Sequence, residues 1–271
     1  MEEVKIDLYV PGLQVNEGDY FGEDGLLYCG KCRTPKQFRL TSVSPDCIVP
    51  SLCDCEARER DRVEKLIRMG RDPGSVAMKR YEAFDNKGMQ DWTFAKDDNK
   101  NSELTRKAKI YVEHFPEMLE KGIGMLFYGS VGTGKTYMAV CIANALIDKG
   151  YKSYVTNFSR LVNELGSTGN RQERLDYLNN YDLLIIDDFA VERESEYMNE
   201  IVSTVINERY IVKKPMIVTT NLTMKELARP ENTDKARVYS RLLEMCVPVE
   251  VKGNDRRIGK ARTNAENMWK G

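Results

Sequence analysis

The run Gly129-Ser130-Val131-Gly132-Thr133-Gly134-Lys135-Thr136 constrains what this chain can fold into more than any other feature. It satisfies the GxxxxGK[ST] pattern without a mismatch, and it lies between an apolar segment, Met125 to Tyr128, and an amphipathic one, Lys135 to Lys149. Holding a phosphate chain requires backbone N–H groups that converge on anionic oxygens at a helix N-terminus, and glycines let the backbone wrap that closely. The strand, loop and helix context turns the pattern into a structural expectation, an α/β domain that binds ATP. Lys135 is expected to reach the β- and γ-phosphates, and the Thr136 hydroxyl to ligate Mg²⁺.

Magnesium also needs a rigidly placed carboxylate. Leu183-Leu184-Ile185-Ile186 reads as a buried strand that ends in Asp187-Asp188, the Walker B arrangement. Asp187 is expected on the Mg²⁺ side, and Asp188 where a Glu more often polarises the attacking water. Asp is one methylene shorter, so slow basal hydrolysis is expected. The competing reading of the pair is a loop cap.

Three further groups complete the expected site. Thr219-Thr220-Asn221 closes the strand Met216 to Thr220, which in a sheet of AAA+ order lies between the strands bearing the phosphate loop and the acids. Asn221 is thus the sensor 1 candidate, with an ordinary strand-end turn as the alternative. Charge building on the γ-phosphate calls for a cation, often an arginine from a neighbouring subunit. Arg241 is the first candidate and Arg237 the second, four residues apart on one helical face; surface ion pairing is the competing reading for each. Arg257, after the last strand, is a sensor 2 candidate.

Apolar segments at Met125–Tyr128, Ser153–Thr156, Leu183–Ile186, Met216–Thr220 and Val247–Val251 alternate with helical patterns. That alternation predicts a five-stranded, mostly parallel sheet covered on both faces. Ser102 is the expected N-cap of the helix that precedes the first of these strands, and Pro116 is expected to kink or split it. With 271 residues there is room for a full α/β domain and a small accessory one. The expected division is a Cys-rich domain over residues 1–56, a charged helix and linker over 57–100, and the ATPase domain over 101–271.

A net charge of −1 excludes a uniformly basic nucleic-acid coat, leaving local patches such as Arg58 to Arg71 and Lys252 to Arg257. No stretch approaches the ~18 apolar residues of a membrane span, and the N-terminus lacks a signal-peptide pattern, so a cytoplasmic protein with no membrane partner is expected. Five of the seven cysteines fall between Cys29 and Cys55. Cys29 and Cys32 form a CxxC knuckle and Cys53 and Cys55 a second close pair, a set that can close a tetrahedral structural Zn²⁺ site. Cys47 is the spare, able to replace Cys53 or Cys55. Cys141 and Cys246 are expected as core residues in helices. Trp92 and Phe94 could stack on a base, but are expected to pack the linker onto the ATPase domain.

The runs Asp187-Asp188-Phe189-Ala190-Val191-Glu192-Arg193, Val205-Ile206-Asn207-Glu208-Arg209-Tyr210 and Lys214 to Leu222, continued by Arg237 to Cys246, are similar to the bacterial DnaC/DnaI helicase-loader family and the related IstB transposition ATPases. The likeness covers roughly residues 105 to 257, with Ala190 where the family usually has Gly. It implies an AAA+ ATPase that self-associates through shared ATP sites, binds single-stranded DNA, and delivers a hexameric DnaB-type replicative helicase during replication initiation. A Cys-rich module ahead of the ATPase resembles the loader branch. The alternatives are a transposition helper that acts on double-stranded DNA with a transposase, and a zinc-bearing adaptor that binds ATP only as structural glue.

Overall fold

A computed structural model describes residues 14–40, 47–84, 86–167, 170–189, 196–230, 233–257, 265–266 and 268–269. The chain divides into two compact units, Met1–Asp72 and Pro73–Gly271, so the boundary falls inside the span expected as helix and linker.

In the first unit, strands β1 (Tyr20–Phe21) and β2 (Leu27–Tyr28) pair antiparallel, as do β3 (Gln37–Leu40) and β4 (Cys47–Pro50). Helix α1 (Asp54–Arg68) follows. Its N-terminus is closed by a reciprocal box between Cys53 and Glu56, and Gly70 at φ 59° takes the left-handed turn beyond its end. Among the described residues of this unit only Leu27, Cys29 and Cys53 are buried apolar side chains. That is too little to carry a fold on hydrophobic burial.

The second unit opens with α2 (Pro73–Ala83), α3 (Ser102–Glu113) and α4 (Phe115–Lys121). Asn101 rather than Ser102 caps α3, its side chain accepting from Leu104 N at 3.2 Å. Pro116 sits in the first turn of α4, where its missing N–H costs nothing, and the expected split falls at His114. Then come β5 (Gly124–Tyr128), α5 (Lys135–Asp148), β6 (Ser153–Asn157), α6 (Phe158–Ser167), α7 (Arg171–Asn179) and β7 (Leu183–Phe189). The unit ends with α8 (Glu196–Ile211), β8 (Met216–Thr220), α9 (Met224–Ala228), α10 (Thr233–Met245) and β9 (Cys246–Glu250). Cys246 therefore opens a strand instead of ending a helix, and Pro248 two residues on excludes a helical continuation.

The five strands β5 to β9 form one parallel sheet in the order β6-β7-β8-β5-β9. Alternation along each strand feeds two cores. Leu126, Leu184, Ile186, Met216 and Val218 face one, with α6, α8 and α10; Met125, Phe127, Leu183, Ile185 and Ile217 face the other, with α3 and α5. Phe158 is buried in the first core. Arg209 is fully buried and donates to the carbonyls of Tyr181 (2.9 Å) and Pro215 (2.5 Å), at the approaches to β7 and β8. It ties together the N-terminal ends of the strands whose other ends carry the acids and Asn221. Among the described residues no helix is long and apolar enough to cross a membrane.

Candidate functional site

The loop between β5 and α5 turns through three left-handed glycines, Gly129 at φ 136°, Gly132 at φ 76° and Gly134 at φ 100°. A side chain at Gly129 would meet Val251 O at 2.6 Å, so the close passage of the two backbones requires glycine there. Lys135 begins α5 and folds its ammonium back over the loop. It donates to Gly129 O (2.9 Å), Ser130 O (2.7 Å) and Asn221 Oδ1 (2.8 Å). Burial holds its pKa below the usual lysine value. The Thr133 hydroxyl closes the turn on Ser130 O at 2.9 Å, while the Val131 side chain stands out from the loop.

The acids meet this loop because β8 lies between β7 and β5. Asp187 Oδ1 accepts from the Thr136 hydroxyl at 2.8 Å and from the Thr219 hydroxyl at 2.5 Å. Burial pushes the Asp187 carboxyl above the ordinary aspartate pKa. A carboxylate so desolvated, with a threonine oxygen beside it, is a donor set suited to a hard divalent cation. Asp188 is exposed and left-handed, at φ 52°. One cavity of about 1600 Å³ joins the loop, Asp187, Asp188 and Asn221, with Trp92 and residues 252–257 among its other walls.

Residues 129–136, Asp187, Asp188, Asn221 and Arg257 are thus brought together or border one cavity. Arg257 donates its N–H to Asp255 Oδ1 at 2.8 Å. Arg237 and Arg241 are not among the residues lining that cavity. Arg237 is exposed on α10, and the Arg241 guanidinium stands 5.9 Å from the Tyr210 ring centre. Sequence reasoning placed Thr219 only at a strand end and Arg256 only in a basic patch, with no role in the site for either. The Arg256 N–H donates to Gly132 O (3.0 Å) and its guanidinium to Asp98 Oδ1 (3.1 Å), joining the segment before α3 to the phosphate loop. Trp92 lies 5.6 Å from Tyr137, ring to ring.

In the first unit the Cys29-Gly30-Lys31-Cys32 turn closes when Arg33 N–H donates to Cys29 O at 2.9 Å, with Arg33 left-handed at φ 58°. Cys53 caps α1 and Cys55 lies in its first turn. The four Sγ atoms of Cys29, Cys32, Cys53 and Cys55 lie within 4.8 Å of one another, with Cys53 and Cys55 at 3.3 Å and Cys29 and Cys55 at 3.6 Å. Tetrahedral zinc thiolates stand about 3.8 Å apart, so the cluster fits the metal. The hydroxyl and backbone of Thr34 draw the Cys32 thiol down to about 5, whereas burial pushes the Cys53 thiol up. The buried Lys36 ammonium reaches Gln14 O (2.7 Å), Asp19 (2.9 Å) and Glu56 (3.0 Å). Glu56 in turn accepts from Cys53 N–H. The Cys47 side chain lies outside the described residues.

The family described as IstB-like ATP binding protein matches residues 54–265. The replicative helicase loader DnaI of Bacillus subtilis (strain 168) is 29% identical over 150 residues, 51% of this chain and 48% of that protein. The replicative helicase loader DnaC of Escherichia coli (strain K12) is 31% identical over 128 residues, 45% of this chain and 51% of that protein. The chain thus spans about half the length of these curated relatives. A crystal structure of DnaI superposes with a TM-score of 0.55 at 26% identity, covering 66% of this chain and 98% of that one. The parallel sheet is that of the AAA+ loaders.

Proposed function

The chain belongs to the IstB-like ATP-binding protein family, and from that premise we propose that it is an ATP-hydrolysing loader that delivers a DnaB-type replicative helicase to single-stranded DNA during replication initiation. The observation that carries the reading is the pairing of a four-thiol unit with an ATPase unit that resembles DnaI.

In this reading the 129–136 loop cradles the phosphates and Lys135 transfers its ammonium from the loop carbonyls to the β- and γ-phosphate oxygens. Thr136 spends its proton on Asp187, which leaves oxygen lone pairs for a cation. Mg²⁺, when bound there, neutralises charge developing on the phosphates. Asp188 orients the attacking water and accepts its proton. Asn221, freed from Lys135, hydrogen-bonds the γ-phosphate or that water. Arg257 faces the nucleotide within the same chain. Arg241, with Arg237 one turn away, acts on the ATP of a neighbouring subunit, a role suited to side chains outside the cavity of their own chain. Cys29, Cys32, Cys53 and Cys55 hold a structural Zn²⁺, with no open position for catalysis.

The breadth of the IstB-like match favours one second reading, a transposition helper that assembles on double-stranded DNA with a transposase. Size-exclusion of the full chain with its host's replicative helicase tests the two. Co-elution that depends on ATP, is lost in Lys135→Ala, and is accompanied by hydrolysis stimulated by single-stranded DNA is expected. Absence of co-elution in every nucleotide state, with ATP-driven assembly on duplex DNA instead, would overturn the loader reading in favour of the second.

A further inference from the structure

We infer that Thr219 is the positioning residue of the acid pair, fixing the Asp187 carboxylate and the backbone turn that aims Asp188; this rests on the ATPase reading above. Strands β7 and β8 pair regularly up to Ile186 opposite Val218 and resume at Phe189 opposite Thr220. Two residues of β7, Asp187 and Asp188, therefore face a single residue of β8, Thr219. A bulge of this kind takes a backbone group out of the ladder and re-aims the side chains beside it.

The Thr219 hydroxyl serves both displaced groups. It accepts the Asp188 N–H at 3.0 Å and donates its proton to Asp187 Oδ1 at 2.5 Å. A hydroxyl has one proton to give and lone pairs to accept with, and here both capacities are spent on the acid pair. The side chain is fully buried, so water does not compete. Asp188 at φ 52° occupies backbone space that a residue with a Cβ enters at a steric cost, and surrounding contacts must hold it there. The Asp188 N–H bond to Thr219 is such a contact. Thr136 donates to the same Asp187 oxygen but belongs to the phosphate loop. Without Thr219 the carboxylate loses its only hydroxyl partner on the sheet among the contacts described.

Thr220 supplies the internal comparison. It is equally buried, and its hydroxyl also ties β8 to β7, donating to Phe189 O at 2.8 Å. It also accepts the Leu222 N–H at 3.2 Å, and neither of these hydrogen bonds involves Asp187 or Asp188.

The test titrates ATP binding to the full-length chain over a series of Mg²⁺ concentrations and measures hydrolysis and thermal unfolding in parallel. The variants are Thr219→Val, Thr219→Ser and Thr220→Val. Thr219→Val is expected to bind ATP without Mg²⁺ as the wild type does, to need about tenfold more Mg²⁺ for the metal-dependent gain in affinity, and to lose kcat with KM little changed. Thr219→Ser, which keeps the hydroxyl, restores both. Thr220→Val loses thermal stability and leaves the Mg²⁺ midpoint in place. An unmoved midpoint in Thr219→Val, an equal shift in Thr220→Val, or no rescue by serine overturns the assignment. If Thr219→Val does not fold, Thr219→Ala against Thr219→Ser carries the same comparison. Wild-type protein that fails to bind ATP, or binding indifferent to Lys135→Ala, would instead remove the ATPase reading and the inference with it.

Discussion

A carboxylate desolvated in readiness for a cation weakens the fold that carries it. Asp187 has a pKa raised by burial above the value of 3.8 it takes when exposed. Between those two values the native state binds more protons than the unfolded state, so stability falls as pH rises across that window. Above the raised pKa the full penalty is present; below about pH 4 it vanishes. Asp187→Asn keeps an oxygen to accept from Thr136 and Thr219 while removing the charge. It is therefore expected to melt at a higher temperature than the wild type at neutral pH without Mg²⁺, with a gain that shrinks on acidification. Adding Mg²⁺ and ATP should reverse the order, because the wild type gains stability from a ligand that the variant binds poorly. Calorimetry over pH, with and without Mg²⁺ and ATP, reads both effects, and an Asn variant less stable than wild type at neutral pH would contradict the argument.

Among the elements, α5 both presents Lys135 and Thr136 and holds one wall of the cavity. Asn144, buried on this helix, donates to Met89 O and Trp92 O at 2.9 Å each and accepts from Arg80 Nε at 3.1 Å. Asn144→Ala takes its amide away from two part-buried carbonyls and the Arg80 guanidinium, and a loss of about 1–2 kcal/mol in urea unfolding is expected. ATP affinity should fall as well, since Met89 and Trp92 border the cavity. A variant as stable as wild type would show that segment 89–92 is held by something else. The same helix marks how far the sequence could be read. Its phosphate loop was legible because all its chemistry lies in eight consecutive residues, and the acids and Asn221 because each ends an apolar run. Asn144 was not, since its partners lie more than fifty residues away across a helix pair. Thr219 was hidden for a related reason: its role arises from a bulge, which shifts register by one residue without a mark in composition. The cap of α3 moved from Ser102 to Asn101 because adjacent residues of equal capping chemistry compete and only the backbone decides.

Across the whole molecule the two units rest on different physics. The second buries two apolar clusters against the faces of one sheet, whereas the described part of the first buries Leu27, Cys29 and Cys53 and gathers four thiols. A unit so poor in core stands or falls with its crosslink, and Zn²⁺ on the four thiols would supply one by closing two distant cysteine pairs. Metal analysis of the full chain is expected to return one zinc per molecule. Chelation should raise amide exchange through residues 14–40 and 54–68 while leaving β5, β7 and β8 protected. ATP binding should stay within about twofold, because a ligand reports on the unit that holds it. Cys53→Ser should reproduce the chelated state without a chelator, and with it the loss of helicase co-elution if the thiol unit is the docking element. Protection of the first unit that survives zinc removal would mean that Lys36, with Asp19 and Glu56 around its ammonium, suffices to hold the fold; collapse of both units together would mean that the boundary at Asp72 and Pro73 does not separate them in energy.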